Sequence, residues 1–285
     1  MSFPYALPLL LDGATGTELQ RRGMPLNTCA ETWLLDHPEA IIETQRAYVR
    51  AGSQVVYAPT FGANRPALQR HGVDIPVHTL CAELVAMSRQ AVGDSILVGG
   101  DMSPTGLQME PFGPAGFADI VAVFREQVEA LEAAGVDLFV VESFVSAQEA
   151  KAALTAIRQV SKKPAFVSIP CGPTGRSIWG DDLAETAREM ETLGADAYGI
   201  NCCGDLELLT RLVGEIHMNC SLPILVKPNA GLPVVENGQT VYRMTPETLA
   251  AHIPALRTAG ASIFGGCCGT RPAHIAAIRA ALDTL

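Results

Sequence analysis

The chain is poor in charge. Only 18% of its 285 residues are Asp, Glu, Lys or Arg, and 30 acidic residues outnumber 20 basic ones for a net charge of -10. No run of five or more basic residues occurs, so a phosphate backbone finds no footprint and no nucleic-acid partner is expected. No apolar stretch approaches the ~20 residues that span a bilayer, and no membrane segment is expected. The N-terminus lacks a basic n-region and is broken by Pro4 and Pro8, so it does not read as a secretory signal. In the cytoplasmic setting this implies, eight cysteines argue against a disulfide framework and for core fillers, nucleophiles or metal ligands. The Gly-x-Gly-x-x-Gly turn of dinucleotide sites is missing too, because Asp12-Gly13-Ala14-Thr15-Gly16 has the wrong spacing. No histidines pair at ligand spacing, and all six are expected at solvated surface positions.

What is abundant is apolar: 48% of the chain, in short runs with polar stretches between them. Strands are expected near Leu9–Asp12, Val55–Ala58, Ile96–Asp101, Leu138–Glu142, Ala165–Ile169, Ala197–Asn201, Ile224–Lys227 and Ser262–Gly265. They are rich in Val, Ile and Leu without clean alternation, as parallel strands buried on both faces are. Amphipathic stretches such as Phe117–Ala134, Ala147–Val160, Asp182–Leu193, Leu206–Met218 and Pro246–Ala259 read as helices. Ser146, Asp181, Asp205 and Thr245 open them, and Gly135, Gly194 and Gly260 close them. Eight such units without a linker predict an α/β fold, a (β/α)8 TIM barrel forming a single domain over residues 1–285. A doubly wound open sheet is the alternative. After the seventh strand, Asn237-Gly238 between β-branched residues predicts a tight hairpin on the catalytic rim.

The unusual residues gather where those strands end: Asp12-Gly13, Thr60 to Asn64, Asp101, Glu142, Asn201-Cys202-Cys203 and Gly265-Gly266-Cys267-Cys268-Gly269. Polar residues at the C-terminal ends of several strands are what a barrel active site requires. Neighbouring side chains of a strand point to opposite faces, so Cys267 and Cys268 grip one ion only if the chain curls. The flanking Gly265-Gly266 and Gly269 permit that. A third sulfur from the sixth strand then completes a three-thiolate site with one open position, the form of a catalytic zinc site. Periodicity does not choose between Cys202 and Cys203. Cys29, Cys81 and Cys220 read as packing residues, and Cys171 as a weaker rim candidate.

Asp12-Gly13-Ala14-Thr15-Gly16-Thr17-Glu18-Leu19, Thr60-Phe61-Gly62-Ala63-Asn64, Gly199-Ile200-Asn201-Cys202 and Gly265-Gly266-Cys267-Cys268-Gly269 together resemble the homocysteine S-methyltransferase (homocysteine-binding domain) family. The likeness runs from about residue 9 to the C-terminus, and the motifs are most similar to the N-terminal module of cobalamin-dependent methionine synthase. The resemblance implies one Zn2+ per chain on Cys202, Cys267 and Cys268, with Cys203 left out. It implies that Asp12 and Glu142 hold the ammonium of homocysteine and that backbone donors at Gly13 and Ala14 hold its carboxylate. Asn229 is a candidate for the open zinc position before substrate binds. A thiol of ordinary pKa, roughly 8.5, is deprotonated by zinc and attacks an activated methyl group, giving methionine. The donor implied is a methyl-corrinoid protein in trans, with methylcobalamin on that partner; S-methylmethionine or betaine is the small-donor alternative. The end of the chain at Leu285, without the arm of betaine-type relatives, implies a monomer or weak dimer.

Plainer readings stand beside these. Asp12 could cap a helix beside Thr15 and Thr17, and Glu142, ending an apolar run, could be a structural carboxylate in need of a partner. Two rival functions remain: another barrel enzyme with Gly265-Gly266 as a phosphate cradle, and a non-catalytic zinc module docking on a corrinoid protein.

Overall fold

The computed structural model describes residues 3–236 and 239–285. Its strands are β1 (Leu9–Leu10), β2 (Val55–Ala58), β3 (Leu97–Met102), β4 (Leu138–Val141), β5 (Ala165–Ser168), β6 (Ala197–Asn201), β7 (Ile224–Lys227), β8 (Val234–Glu236), β9 (Gln239–Val241) and β10 (Ala261–Phe264). Eight of them pair in parallel in the order β1-β10-β7-β6-β5-β4-β3-β2, while β8 and β9 form a separate antiparallel ribbon. Helices lie between the parallel strands, and the result is the expected (β/α)8 barrel. The ribbon follows β7 on the rim as expected; its Asn237-Gly238 turn lies outside the described residues. Among the described residues no helix is long and apolar enough to cross a membrane.

Two apolar layers hold the barrel. Leu9, Leu11, Val55, Leu138, Val140, Phe166, Leu225 and Ile263 fill its interior. Phe3 stacks on Phe166 at 5.8 Å between ring centroids and closes the N-terminal mouth. The opposite strand faces, including Val56, Val98, Phe139, Val167 and Val226, pack under the helices. Burial on both faces explains the continuous apolar runs.

Most helix signals act as expected. Asp205 and Thr245 accept from backbone N–H groups of the first turn, and Gly135 and Gly260 close their helices in the left-handed conformation. One pair is exchanged. Asp182, not Asp181, caps the helix Leu183–Thr192. Asp181 instead accepts from Ala147 N, at the start of the helix Ala147–Val160, where Ser146 makes no side-chain cap.

The seam between β1 and β2 is closed by one backbone bond and several side chains rather than by a strand ladder. Gln54 N donates to Leu10 O (2.7 Å) and Leu10 N donates to Gln54 Oε1 (2.9 Å). Ser53 Oγ reaches Leu11 O, and Tyr57 N donates to Asp12 Oδ2 at 2.8 Å. A Gln54→Ala variant leaves the Leu10 N–H unpaired, a loss of about 1–3 kcal/mol. The expected result is a lower denaturant midpoint with an unchanged m-value.

Candidate metal and acceptor site

The C-terminal ends of the strands surround a cavity of about 880 Å3. Its wall includes Gly13, Tyr57, Asp101, Glu142, Lys227, Tyr242 and the sulfurs of Cys202, Cys267 and Cys268.

The three cysteines converge. Their ligand atoms all lie within 4.8 Å of one another, with Cys202 Sγ 2.8 Å from Cys267 Sγ and 3.9 Å from Cys268 Sγ. Cys203 is apart, buried beyond the turn with its thiol on Asp205 O. The left-handed backbone that makes this possible sits at Cys202 itself (φ +54°) and at Gly269 (φ +79°). Gly265 and Gly266 work differently from the curl expected of them: their φ angles are not positive. They are glycine because a Cβ would lie 2.9 Å from Leu11 Cβ and 2.3 Å from Thr270 Oγ1, respectively. A non-glycine residue held left-handed costs of order 1 kcal/mol or more and persists only where its surroundings over-determine it.

Those surroundings are visible. Cys202 N donates to Lys227 O, Cys267 N to Pro228 O, Ala230 N to Cys268 O and Asn229 N to Cys203 O. The Asn201 side chain, fully buried, accepts from Ser143 N, donates to Ser143 Oγ and lies 4.0 Å from Cys267 Sγ. The phosphate-cradle reading fails here, because the N–H groups of Gly265, Gly266, Cys267 and Gly269 are all committed within the protein. Hydrogen bonding with Cys202 and Cys267, joined by Tyr242, holds the Cys268 thiol far below its usual range, to about 3. The Cys267 sulfur lowers Cys202, but Cys268 and burial outweigh it and push Cys202 up to about 12.

Beside the sulfurs lies a charged layer whose cation, Lys227, was missed in the sequence. Lys227 is 2% exposed, with Nζ 3.2 Å from Glu142 Oε2, 3.5 Å from Asp12 Oδ1 and 3.6 Å from the Tyr57 ring centroid. Burial opposes its charge, but Glu142, Tyr57 and Asp12 outweigh that and keep its pKa well above the usual lysine value. The signal was present: a lysine ending Ile224-Leu225-Val226 needs a buried partner as much as Glu142 does. Strand alternation places it, since Leu225 points into the barrel and Lys227, two residues on, must as well. The same count from Leu138 and Val140 brings Glu142 inward.

The other expected residues fall into place unevenly. Glu142 and Gly13 line the cavity. Asp12 does not: it is 1% exposed, and its oxygens meet Tyr57 N and Lys227 Nζ. Nor is Asp12 a helix cap; Thr15 holds that position, without a side-chain bond. Ala14 N–H is taken by Thr270 Oγ1 at 3.1 Å, which removes it as a carboxylate donor. Asn229 donates Nδ2 to Cys202 O, and its Oδ1 is buried without a partner among the described residues. Five histidines are exposed or half-exposed. His274 departs from expectation: it is buried, accepting from Arg271 N and bonded to Met244 O, because it closes a helix start.

Removing the lysine charge tests this layer. Burial holds the Asp12 carboxyl up, to about 6, against the pull of Lys227. In Lys227→Met that pull is gone, so the folded-state pKa rises further while the unfolded one stays near ~3.9. An acid whose folded pKa is raised favours the folded state when protonated. The variant should therefore be roughly 3–5 kcal/mol less stable at pH 8, with the deficit narrowing toward pH 5. Denaturant melts at the two pH values check this.

Similarity to known proteins agrees with the site. Methionine synthase of Mycobacterium tuberculosis is 28% identical over 293 residues, covering 96% of this chain but 24% of that protein. The chain thus spans about a quarter of the length of the methionine synthases it matches. Homocysteine S-methyltransferase of Escherichia coli is 29% identical over 95% of this chain and 94% of its own. The crystal structure of the homocysteine methyltransferase MmuM from Escherichia coli in its metallated form superposes with a TM-score of 0.80, at 29% identity and 95% coverage of both chains. The homocysteine S-methyltransferase profile matches residues 9–282, and the chain belongs to that family of methyltransferases.

Proposed function

We propose that the chain is a zinc-dependent methyltransferase that takes homocysteine as methyl acceptor and forms methionine. The observation that carries this is the trio of sulfurs within 4.8 Å on the wall of the cavity. The donor set fits zinc: thiolates are soft ligands, and three protein ligands leave the open position of a catalytic site. When bound, zinc supplies the charge that keeps an acceptor thiol as thiolate at neutral pH and positions its sulfur toward an activated methyl group. The chain's own groups prepare for this. Cys202, Cys267 and Cys268 are the proposed ligands. Asn201 steadies Cys267, and Tyr242 from the end of the ribbon covers Cys268. Glu142 meets the acceptor's ammonium and the Gly13 N–H its carboxylate, both from the cavity wall. The unpaired Asn229 Oδ1 is the group proposed to hold the open position until the acceptor arrives.

For the donor, the motif likeness to methionine synthase favours a methyl-corrinoid protein in trans. The Escherichia coli relative, nearly the same length as this chain, is the reason to keep a small onium donor as the second reading.

Stoichiometric zinc is expected in the wild type and lost in Cys202→Ser, Cys267→Ser and Cys268→Ser. Full zinc in all three variants would end the assignment. Homocysteine assays run in parallel with a methylcobalamin species, S-methylmethionine, betaine and S-adenosylmethionine identify the donor, with turnover expected from the corrinoid. In cobalt-substituted protein without thiol, Asn229→Ala should change the visible spectrum, and homocysteine should make the two spectra coincide.

A further inference from the structure

Three non-glycine residues among those described hold a left-handed backbone: Asn27, Ser143 and Cys202. Asparagine enters that region readily. In serine and cysteine it is strain, kept only where the surroundings over-determine it. These two meet on the cavity wall, with Ser143 Oγ 3.9 Å from Cys202 Sγ. Ser143 (φ +65°) stands just beyond β4 and Cys202 just beyond β6, and β5 lies between those strands in the sheet.

Asn201 clamps the pair. Its Oδ1 accepts from Ser143 N at 3.2 Å, which fixes the orientation of the amide, and its Nδ2 donates to Ser143 Oγ at 2.7 Å. A hydroxyl has one hydrogen to donate and accepts through its lone pairs. Asn201 fills the accepting side, so the Ser143 hydrogen is left for another atom. Among the described residues the acceptor in reach is the Cys202 sulfur. As a thiolate that sulfur can only accept.

We infer that Ser143 is a positioning residue for Cys202: its strained turn and the Asn201 clamp aim the hydroxyl at the Cys202 sulfur, which keeps that sulfur a metal ligand and not a methyl acceptor. This deepens the zinc reading and rests on it. A cysteine thiolate on the cavity wall faces the same activated methyl group as the acceptor thiolate and competes for it. A hydrogen bond to a charged sulfur draws off electron density and lowers its nucleophilicity. Ser143 thus acts on which sulfur reacts, and it touches neither acceptor nor donor.

Two variants separate the hydroxyl from the strain. Ser143→Ala lacks the hydroxyl and keeps the strained backbone, whereas Ser143→Gly lacks the hydroxyl and relieves the strain. In cobalt-loaded protein without thiol, the thiolate-to-cobalt absorption band should move to longer wavelength, equally in both. Zinc-loaded protein is then exposed to methyl iodide, from which an attacking sulfur displaces iodide. Methylation of Cys202, told apart from Cys203 by peptide fragmentation, should run roughly 5–10-fold faster in both variants than in wild type. An unmoved band or unchanged Cys202 methylation in Ser143→Ala overturns the inference. So does a band that Ser143→Gly returns to the wild-type position, since strain alone would then be the cause. Should Ser143→Ala hold no metal, Ser143→Gly decides alone. If the wild type holds neither zinc nor cobalt, the zinc reading falls and the inference with it.

Discussion

One carboxylate ties the barrel to its chemistry. Asp12 Oδ2 takes the Tyr57 N–H where β1 and β2 have no ladder between them, and Oδ1 faces Lys227, which in turn pairs with Glu142 just after β4. Its backbone carbonyl accepts from Gly266 N at 2.9 Å and sets the start of the cysteine turn. Closure of the barrel, the charge balance of the polar layer and the position of two sulfurs therefore share a single residue. A buried carboxylate is tolerable there because every one of these partners is a donor or a cation.

The sulfur trio needs a different kind of support. Two thiols from one turn and a third from another strand approach each other only because backbone is bent against its preference at Cys202 and packed without Cβ atoms at Gly265 and Gly266. The cost is met by the hydrogen bonds from the β7 segment, where Lys227 O, Pro228 O and Asn229 N each hold one part of the cysteine loops. β7 lies between β6 and β10 in the sheet, so the strand that separates the two cysteine motifs is also the one that binds them together.

The strands, the helices and the convergence of the rim motifs were legible from sequence because each rests on local pattern: apolar runs, caps and glycine stops. Cys203 illustrates the limit. Nothing in periodicity separates it from Cys202, since the choice is made by a left-handed φ at one residue, which depends on neighbours distant in the chain. Asp12 shows a second limit. Its motif suggested a ligand contact, but whether a carboxylate faces a cavity or a seam depends on what fills the space beside it, here a lysine 215 positions along the chain. Lys227 itself was within reach, because a charge closing an apolar strand is as informative for a lysine as for a glutamate.

The proposed thiol chemistry and the proposed reading of the acceptor's far end stand on different strands. The sulfurs come from the segments after β6 and β10, while Tyr57 and Asp101 come from β2 and β3 and Glu142 from just after β4. Fold and function separate in the same way: one set of side chains on a barrel can change while the scaffold holds. In this chain the separation is incomplete at β7. Its last residue supplies the cation of the polar layer, and that residue's own carbonyl accepts the Cys202 N–H. A change at Lys227 acts on both halves, because the side chain that balances the carboxylates is anchored on the backbone that positions the sulfur.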